Sequence, residues 1–476
     1  MRHRFRSTAA FGAAALLTGG LFGPAHPAGP STTATLGLFP SVHATFISGT
    51  APTSAECAQA TGVPCYDPAQ LQTAYDEGPL FSQGLTGEGQ TIVLVDPLGS
   101  PTIRSDLATF DRAFNLPNPP SLQIVQPEGP IPPYDPTNID DVVSAEETSL
   151  DVEWAHAIAP GADIVLDEAT VPATVTTSAA AITQYVDAEN YVIDRHLGDV
   201  ISQSFGAAEE DFGSGLLQSL RSTYAAAQQA GITVLAATGD DGATVPDNSG
   251  LLLTSPAVGW PAVDPLVTAV GGTQLSLDAA GHRTAPDQAW NDTNNVAVNQ
   301  LFAHDNGPNP LATGGGLSTV FARPAYQNTV VSTVGGQRGI PDVAMSGAGS
   351  GPVLIYTSFA NSFGLATGFS ATAGTSESSP LFAGIVALAD QWAGRPLGLI
   401  NPALYQLSAE NAPGLVDVTS GDNTVTFPQG GILNTVQGFN AGPGYDLVSG
   451  VGTVNAARFV PELAAAVTGS NQGDQG

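Results

Sequence analysis

Residues 144–167 read SAEETSLDVEWAHAIAPGADIVLD, and the change of rhythm inside that stretch decides the fold. Its first part is helical: at roughly 100° per residue, Glu147, Leu150, Asp151, Trp154 and Ile158 fall on one narrow stripe. Its end, ADIVLD (162–167), is a short strand-type apolar run. The alternation extends in both directions. TIVLVD (91–96), DVISQSFG (199–206), ITVLAATGD (232–240), PLVTAVGGT (265–273) and GPVLIYTS (351–358) read as strands, with helical patterns near 104–115, 146–159, 214–231 and 375–391. Continuously apolar strands alternating with helices predict an α/β fold, a doubly wound, mostly parallel sheet with helices on both faces. Such a sheet keeps its chemistry at the carboxyl ends of the strands. The Pro- and Gly-rich stretches 117–136 and 305–316 read as surface loops lining a cleft.

Two carboxylates share the apolar stripe. Burying Glu147 and Asp151 is costly unless they are paired or protonated. Adjacent carboxylates push their proton affinities apart, so the pair holds one proton over a range of acidic pH. Glu146, Glu153 and His156 fall off the stripe and are read as solvated. A second segment, AGTSESSPLFAGIVALADQW (373–392), presents Ser376 at the start of an apolar helix, where a hydrolase keeps a nucleophile. None of the seven histidines stands in the setting of a general base for it. In VLAATGDDGAT (234–244), Asp240 follows a strand inside a Gly-bounded turn. Protonated, it would donate a hydrogen bond to a developing oxyanion; alternatively, Asp240 or Asp241 only builds the turn.

Composition narrows the partners. The chain has 43 acidic and 12 basic residues, all of the latter Arg, for a formal net charge of -31. This argues against nucleic acid and anionic membrane surfaces as partners. Such acidity serves solubility, or suits an acidic medium that would neutralise carboxylates and relieve their mutual repulsion, and composition does not choose between the two. The opening MRHRFRSTAAFGAAALLTGGLFGPA, with Arg2, Arg4 and Arg6 ahead of a short apolar run, reads as a secretory signal over 1–28. No later stretch approaches the ~20 apolar residues of a membrane span, so a secreted, soluble, monomeric product is expected. Residues 29–65 read as a loose leader, 66–465 as one large domain and 466–476 as a disordered tail. Cys57 and Cys65 are expected to form a disulfide in an oxidising compartment.

The segments EETSLD with EWAHAIAPGA, ISQSFG, TGDDG, VTAVGGT, TGGGLS, RGIPDVAM, AGTSESSP and AGPGYDLVSGVGTVN, in that order from CYDPAQL at 65 to about 460, resemble the sedolisin family. These are serine-carboxyl peptidases with a subtilisin-like fold. The resemblance implies peptide-bond hydrolysis in acid through an acyl-enzyme on Ser376. In it, Glu147 is the base and then the acid, Asp151 orients Glu147 and shares its proton, and Asp240 is the oxyanion donor beside the Ser376 N–H. A carboxylate suits that medium, because imidazole, with a pKa near 6.5, is already protonated there. Asp96, at a strand end, matches a position where some relatives extend the proton network. The resemblance also implies one structural Ca²⁺, held by the carboxylates of Asp417 and Asp446 and the carbonyls of Val418, Gly442 and Gly444. The chain departs from the pattern at Phe205, where relatives often have Trp, and at Asp241 in the TGDDG turn. The stretch 29–64 is too short for the large folded prodomain of many members, so autoactivation of that kind is not expected. Two other readings remain: a subtilisin-type triad of Asp96, His156 and Ser376, and a non-catalytic secreted calcium-binding protein of the same fold.

Overall fold

The apolar runs become strands of one sheet in a computed structural model that describes residues 45–170, 179–303, 306–363 and 365–473. The expected signal peptide, leader residues 29–44 and the last three residues of the tail lie outside the described residues. In chain order, the elements that build the site are β1 (Thr91–Pro97), α1 (Ile103–Phe114), β2 (Leu122–Val125), α2 (Ile139–Ile158), β3 (Asp163–Ala169), α3 (Ala179–Asp194), β4 (Val200–Gln203), α4 (Ser214–Ala230), β5 (Thr233–Ala237), β6 (Thr268–Gln274), β7 (Gln288–Ala289), β8 (Val343–Ser346) and α5 (Thr375–Ala393). The sheet runs β7-β6-β5-β4-β1-β3-β2, with β8 also on β6, and every pairing is parallel except that of the two-residue β7. The order reverses at β1, and an open parallel sheet of this kind has its crevice at such a reversal.

Alternation along each strand assigns the two faces. Ile92, Leu94, Leu166, Val200 and Leu235 join one core with α2 and α5. Val93, Val95, Val165, Ile201 and Val234 join the other with α3 and α4. By the same parity Asp96 and Ser204 lie toward α2 and α5, and Asp167 and Gln203 toward α3 and α4. The register sets Val95 between Asp167 and Gln203, and Asp96 beside Glu168.

Several expectations need correction. Strand Val353–Thr357 is not in the parallel sheet; it pairs antiparallel with Gly368–Thr372, which in turn pairs with Thr45–Ser48. The Pro-rich stretch 117–136 contains the edge strand β2, and the helix α3 was not foreseen. Within the leader, Thr45–Ser48 is a strand and Ser54–Thr61 a helix started by the Thr53/Glu56 capping box, while Cys57 and Cys65 are disulfide-bonded as expected. The final helix continues from Ala456 through Gly473, into the tail.

The largest correction concerns α2. It begins at Ile139, where the Asn138 side chain accepts from Asp140 N at 3.2 Å, and it is buried at every position from Asp141 to Ile158. Glu146, Glu153 and His156 are therefore not solvated. The antiparallel strand Val353–Thr357 and α1 cover the far side of the helix. There Glu153 accepts from Tyr356 N at 2.9 Å, and His156 Nε2 lies 2.7 Å from the Pro117 carbonyl and 3.3 Å from Asp111.

The abundance of buried carboxyls sets a pH dependence. Burial raises Asp264 to about 6, Asp96 to about 7 and Asp167 to about 8, and pushes Glu77, Glu189, Glu377 and Asp390 well above the usual range. Each of these groups binds its proton more tightly in the folded chain than in the unfolded one. Their contribution is therefore complete below about pH 4 and is lost as the pH rises through the folded values. Thermal denaturation should show a lower midpoint at about pH 7.5 than at about pH 4. A midpoint that climbs toward neutrality would contradict this reading of the buried carboxyls.

Candidate active site

Ser376 is placed by a tight reversal against the turn that follows β5. Gly374 has φ +118°, and a Cβ there would lie 2.5 Å from Asp240 Oδ2, so only glycine lets the chain pass. Helix α5 starts at the next residue. The Thr375 N–H and hydroxyl both donate to Asp240 Oδ1, at 2.7 and 2.9 Å, and Gly239 N–H donates to Thr375 Oγ1 at 2.9 Å. Residues of the 305–316 stretch brace this turn from behind: Ala312 N donates to the Asp240 carbonyl at 2.8 Å and Gly314 N to that of Gly239 at 2.7 Å. Ser376, in the first turn of α5, has an N–H with no carbonyl four residues earlier in the helix to receive it.

Pro380 explains part of the Gly-Thr-Ser-x-x-x-Pro pattern. Having no N–H, it cannot bond the carbonyl of Ser376 four residues earlier. The hydroxyl of Ser204, just past the end of β4, instead faces that carbonyl at 3.5 Å and donates to Asp151 Oδ1 at 2.9 Å. Ser204 thereby ties α5, which carries Ser376, to α2, which carries Asp151. Sequence reading assigned it no role, although it is a polar residue at a strand's carboxyl end on the parity of Val200 and Ser202.

Helices α2 and α5 lie against each other, and Gly384 permits the approach: a Cβ on it would meet Ile158 Cβ at 2.6 Å. The contact brings Glu147 and Asp151 to Ser376. Asp96, Asp151, Asp240 and Ser376 are at most 1 % exposed and Glu147 is 7 % exposed. Burial holds Glu147 well above the ordinary carboxyl range; the Ser376 hydroxyl beside it opposes this, and the charges of Asp96, Asp240 and Glu146 add to it. The Ser376 Oγ makes no fully formed hydrogen bond in this state, and such contacts often tighten only with substrate bound. Asp151 is also raised, by burial first and then by the charges of Asp96 and Glu147, against the Ser204 bond. Asp96 is raised to about 7 by burial, with Thr148 and Asp151 bonding it in opposition. A bond between two carboxyl groups needs a proton between them, as for Asp96 and Asp151, while Asp151 and Glu147 act on each other through charge; the three form a chain of buried carboxyls beside the Ser376 hydroxyl.

Two hollows flank this chain. One, walled in part by Phe205, Gly206, Thr238, Asp240 and Asp241, opens beside the Asp240 turn. The other, of about 550 Å³, lies past the ends of β1, β2 and β3 and is lined in part by Leu98, Pro101, Ile124, Ile131 and Tyr134. Part of the 117–136 stretch thus lines a cavity, as expected, whereas the 305–316 stretch braces the turn. His156 is not brought to Ser376; its ring is held by Pro117 and Asp111 at the other end of α2, which removes the triad of Asp96, His156 and Ser376.

Away from this centre, the loops carrying the expected calcium ligands meet. Gly444 N donates to Asp417 Oδ2 at 2.9 Å and Gly442 N to Asp446 Oδ2 at 2.8 Å. Asp446 Oδ1 also accepts from Val448 N and Ser449 N, and the Ser449 hydroxyl lies 3.4 Å from the Val418 carbonyl. Among the described residues no cluster of three or more His, Cys, Asp or Glu side chains is arranged for a metal, so an ion here would depend on the carbonyls. The oxygen-only donor set fits a hard cation.

Comparison with known proteins places this geometry. The subtilase family profile matches residues 143–430. Kumamolisin from Bacillus sp. strain MN-32 is 32 % identical over 413 residues, 85 % of this chain and 65 % of kumamolisin. Sedolisin from Pseudomonas sp. strain 101 is 32 % identical over 285 residues, 59 % of this chain and 43 % of the relative. Tripeptidyl-peptidase 1 from Homo sapiens is 31 % identical over 56 % of this chain and 43 % of its own. The chain thus spans less than two thirds of the length of these relatives. A solved structure of Pseudomonas sedolisin, a serine-carboxyl proteinase complexed with two molecules of pseudo-iodotyrostatin, superposes with a TM-score of 0.68 at 27 % identity, covering 85 % of this chain and 99 % of that one.

Proposed function

Because the chain belongs to the sedolisin group of the subtilase family, we propose that it is a secreted serine-carboxyl peptidase that cleaves protein or peptide substrates in acid. The observation that carries the proposal is the Glu147 carboxyl, buried against the Ser376 hydroxyl and backed by Asp151.

Glu147, ionised, takes the Ser376 proton as Oγ attacks the scissile carbonyl carbon. The oxygen of the tetrahedral adduct lies between the Ser376 N–H and a protonated Asp240, whose hydroxyl donates to it; an ionised Asp240 would repel it. Glu147 then gives its proton to the departing amine, the C–N bond breaks, and the acyl group remains on Ser376 Oγ. A water, deprotonated by Glu147, attacks the ester, and the proton returns to Ser376 as the acid product leaves. Asp151 shares the proton of the chain with Glu147 and Asp96, which keeps Glu147 poised between its two forms at acidic pH. The hollow beside Asp240 takes a substrate side chain next to the bond being cut.

The experiment is incubation of purified protein with denatured haemoglobin over a range of pH, with His156→Ala alongside. Cleavage in acid that survives the histidine change supports the proposal. Cleavage that peaks above neutrality and is lost with His156 would overturn it. No described helix is long and apolar enough to cross a membrane, which is compatible with a secreted product.

For the loops at Asp417 and Asp446 we propose one structural Ca²⁺, held by these two carboxylates with the carbonyls of Val418, Gly442 and Gly444. It supplies charge neutralisation between two loops and no part of the reaction. Adding a chelator should lower the melting midpoint by about 5 °C, and Asp446→Asn should remove that sensitivity. Equal midpoints with and without chelator would exclude the ion.

A further inference from the structure

The hollow of about 550 Å³ past the ends of β1, β2 and β3 has a chemistry of its own. Leu98, Ile124, Ile131 and Tyr134 give it apolar walls. The carboxyl groups of Asp135, Asp141 and Glu168 stand among them, and no arginine is found among the described residues of its lining. Glu168 is 4 % exposed, and its Oε2 accepts from Gln126 Nε2 at 2.7 Å. Its Oε1 lies over Gly99, whose φ of +66° and missing Cβ make room for it. Asp141 accepts one bond on each oxygen, from Asp135 N at 2.7 Å and Asn138 Nδ2 at 2.8 Å. A carboxylate has about four acceptor sites, so capacity remains on both oxygens. The side-chain amides and the phenol of the lining are spent: Gln126 on Glu168, Asn138 on Asp141, and the Tyr134 hydroxyl on the Ala360 carbonyl at 2.8 Å. Two hydroxyls are left over. Ser100 Oγ, on a residue 6 % exposed, and Thr170 Oγ1 are buried with no hydrogen-bond partner. Unmade bonds at buried polar groups are costly, and a ligand in the cavity completes them. The start of α2 does not call for an anion, because Asp140 and Asp141 in its first turn already answer the helix dipole. Arg104, whose charge reaches Glu168, bonds the Leu122 carbonyl and lines a separate hollow beside α1.

We infer that this cavity takes a long cationic side chain of the substrate, arginine above lysine, with its head between Glu168 and Asp141 and its methylenes on the apolar walls. The inference rests on the proposed peptidase reading and names the substrate class for it. The planar guanidinium carries five donors, which match carboxylates on two elements and the free hydroxyls of Ser100 and Thr170. It also keeps its charge at every pH at which the chain works. Burial raises Glu168 from its ordinary value, and a cation brought beside it favours the ionised form. The fold sets the position in the substrate. Glu168 stands beside Asp96 in the register of β3 on β1. Asp141 precedes Glu147 by six residues on α2, about 9 Å along the helix axis. An extended peptide covers that distance in about three residues, so the arginine lies two or three residues from the bond being cut.

The test is a set of peptides in which one arginine is moved through about three positions on each side of the cut bond. Each has a citrulline twin, of the same shape without the charge, and counterparts with norleucine and with glutamate. At one position two or three residues from the bond, arginine should raise kcat/KM over citrulline by about 10–100-fold. Glu168→Gln and Asp141→Asn should each bring that ratio toward unity. Equal cleavage of the twins at every position, a preference for norleucine or glutamate there, or a ratio untouched by both substitutions would overturn the inference. Binding of the same peptides to Ser376→Ala, read by fluorescence anisotropy, needs neither cleavage nor a change in the cavity. The arginine peptide should bind about tenfold more tightly than its citrulline twin, and equal affinities would again overturn the inference. This arm also separates the two levels: discrimination in binding with no cleavage by wild type means that the peptidase reading has failed while the cation site stands.

Discussion

Replacing Ser376 with Ala should reduce kcat by about 10⁵–10⁶-fold while leaving the melting midpoint close to that of wild type. The first part follows from the mechanism: without Oγ no acyl-enzyme forms, and what remains is the residual effect of binding and of the oxyanion donors. The second follows from the structure, in which Ser376 Oγ makes no fully formed hydrogen bond. Removing one oxygen from that position leaves Thr375, Asp240 and Ser204 holding the turn and the helix start. Intact-mass spectrometry after brief exposure to a peptide ester in acid gives an independent readout. Wild type should gain one acyl mass and the variant none. A variant that still cleaves within a few-fold of wild type would mean that the hydroxyl serves only to pack the turn.

The second large effect is expected at Glu147. Glu147→Gln keeps the volume and removes the base, and should lower kcat by about 10³–10⁴-fold, in the range of a general base acting in both halves of the reaction. Asp151→Asn should cost less, because an amide can still orient Glu147 but cannot pass a proton, and its effect should appear as a displaced pH profile. Both are read by steady-state kinetics at several acidic pH values. If Asp151→Asn proved more damaging than Glu147→Gln, the roles would have to be exchanged. Stability should move in the opposite sense for Glu147, since burial already disfavours its charge and the neutral amide removes that penalty.

Much of the site was legible because it is local. Glu147 and Asp151 are one helical turn apart, and the stripe they share can be read from periodicity alone. Asp240 is marked by the glycines of its turn, and Ser376 by Gly374 and Pro380, whose backbone consequences need only a few neighbouring residues. What could not be read is long-range. A helix enclosed on every side has no polar face, so the pattern that set Glu147 on a buried stripe wrongly sent Glu146, Glu153 and His156 to solvent. Their partners, Tyr356, Pro117 and Asp111, lie on other elements. The same limit hid Ser204, which is an ordinary residue in sequence and acquires meaning only where β4, α2 and α5 converge. Strand Val353–Thr357 has the composition of a parallel-sheet strand and yet pairs antiparallel, because composition reports burial on both faces and not the direction of the neighbour.

The central claim, that a hydroxyl is activated by carboxyls and not by imidazole, is tested most directly by the single-turnover rate of Ser376 acylation across about pH 3 to 8, which isolates the chemical step from binding and product release. The predicted result is acylation that is already fast near pH 4, with a controlling ionisation in the acidic range that disappears in Glu147→Gln. Acylation that is negligible in acid, rises with an ionisation near 6.5 and is indifferent to Glu147 would contradict it.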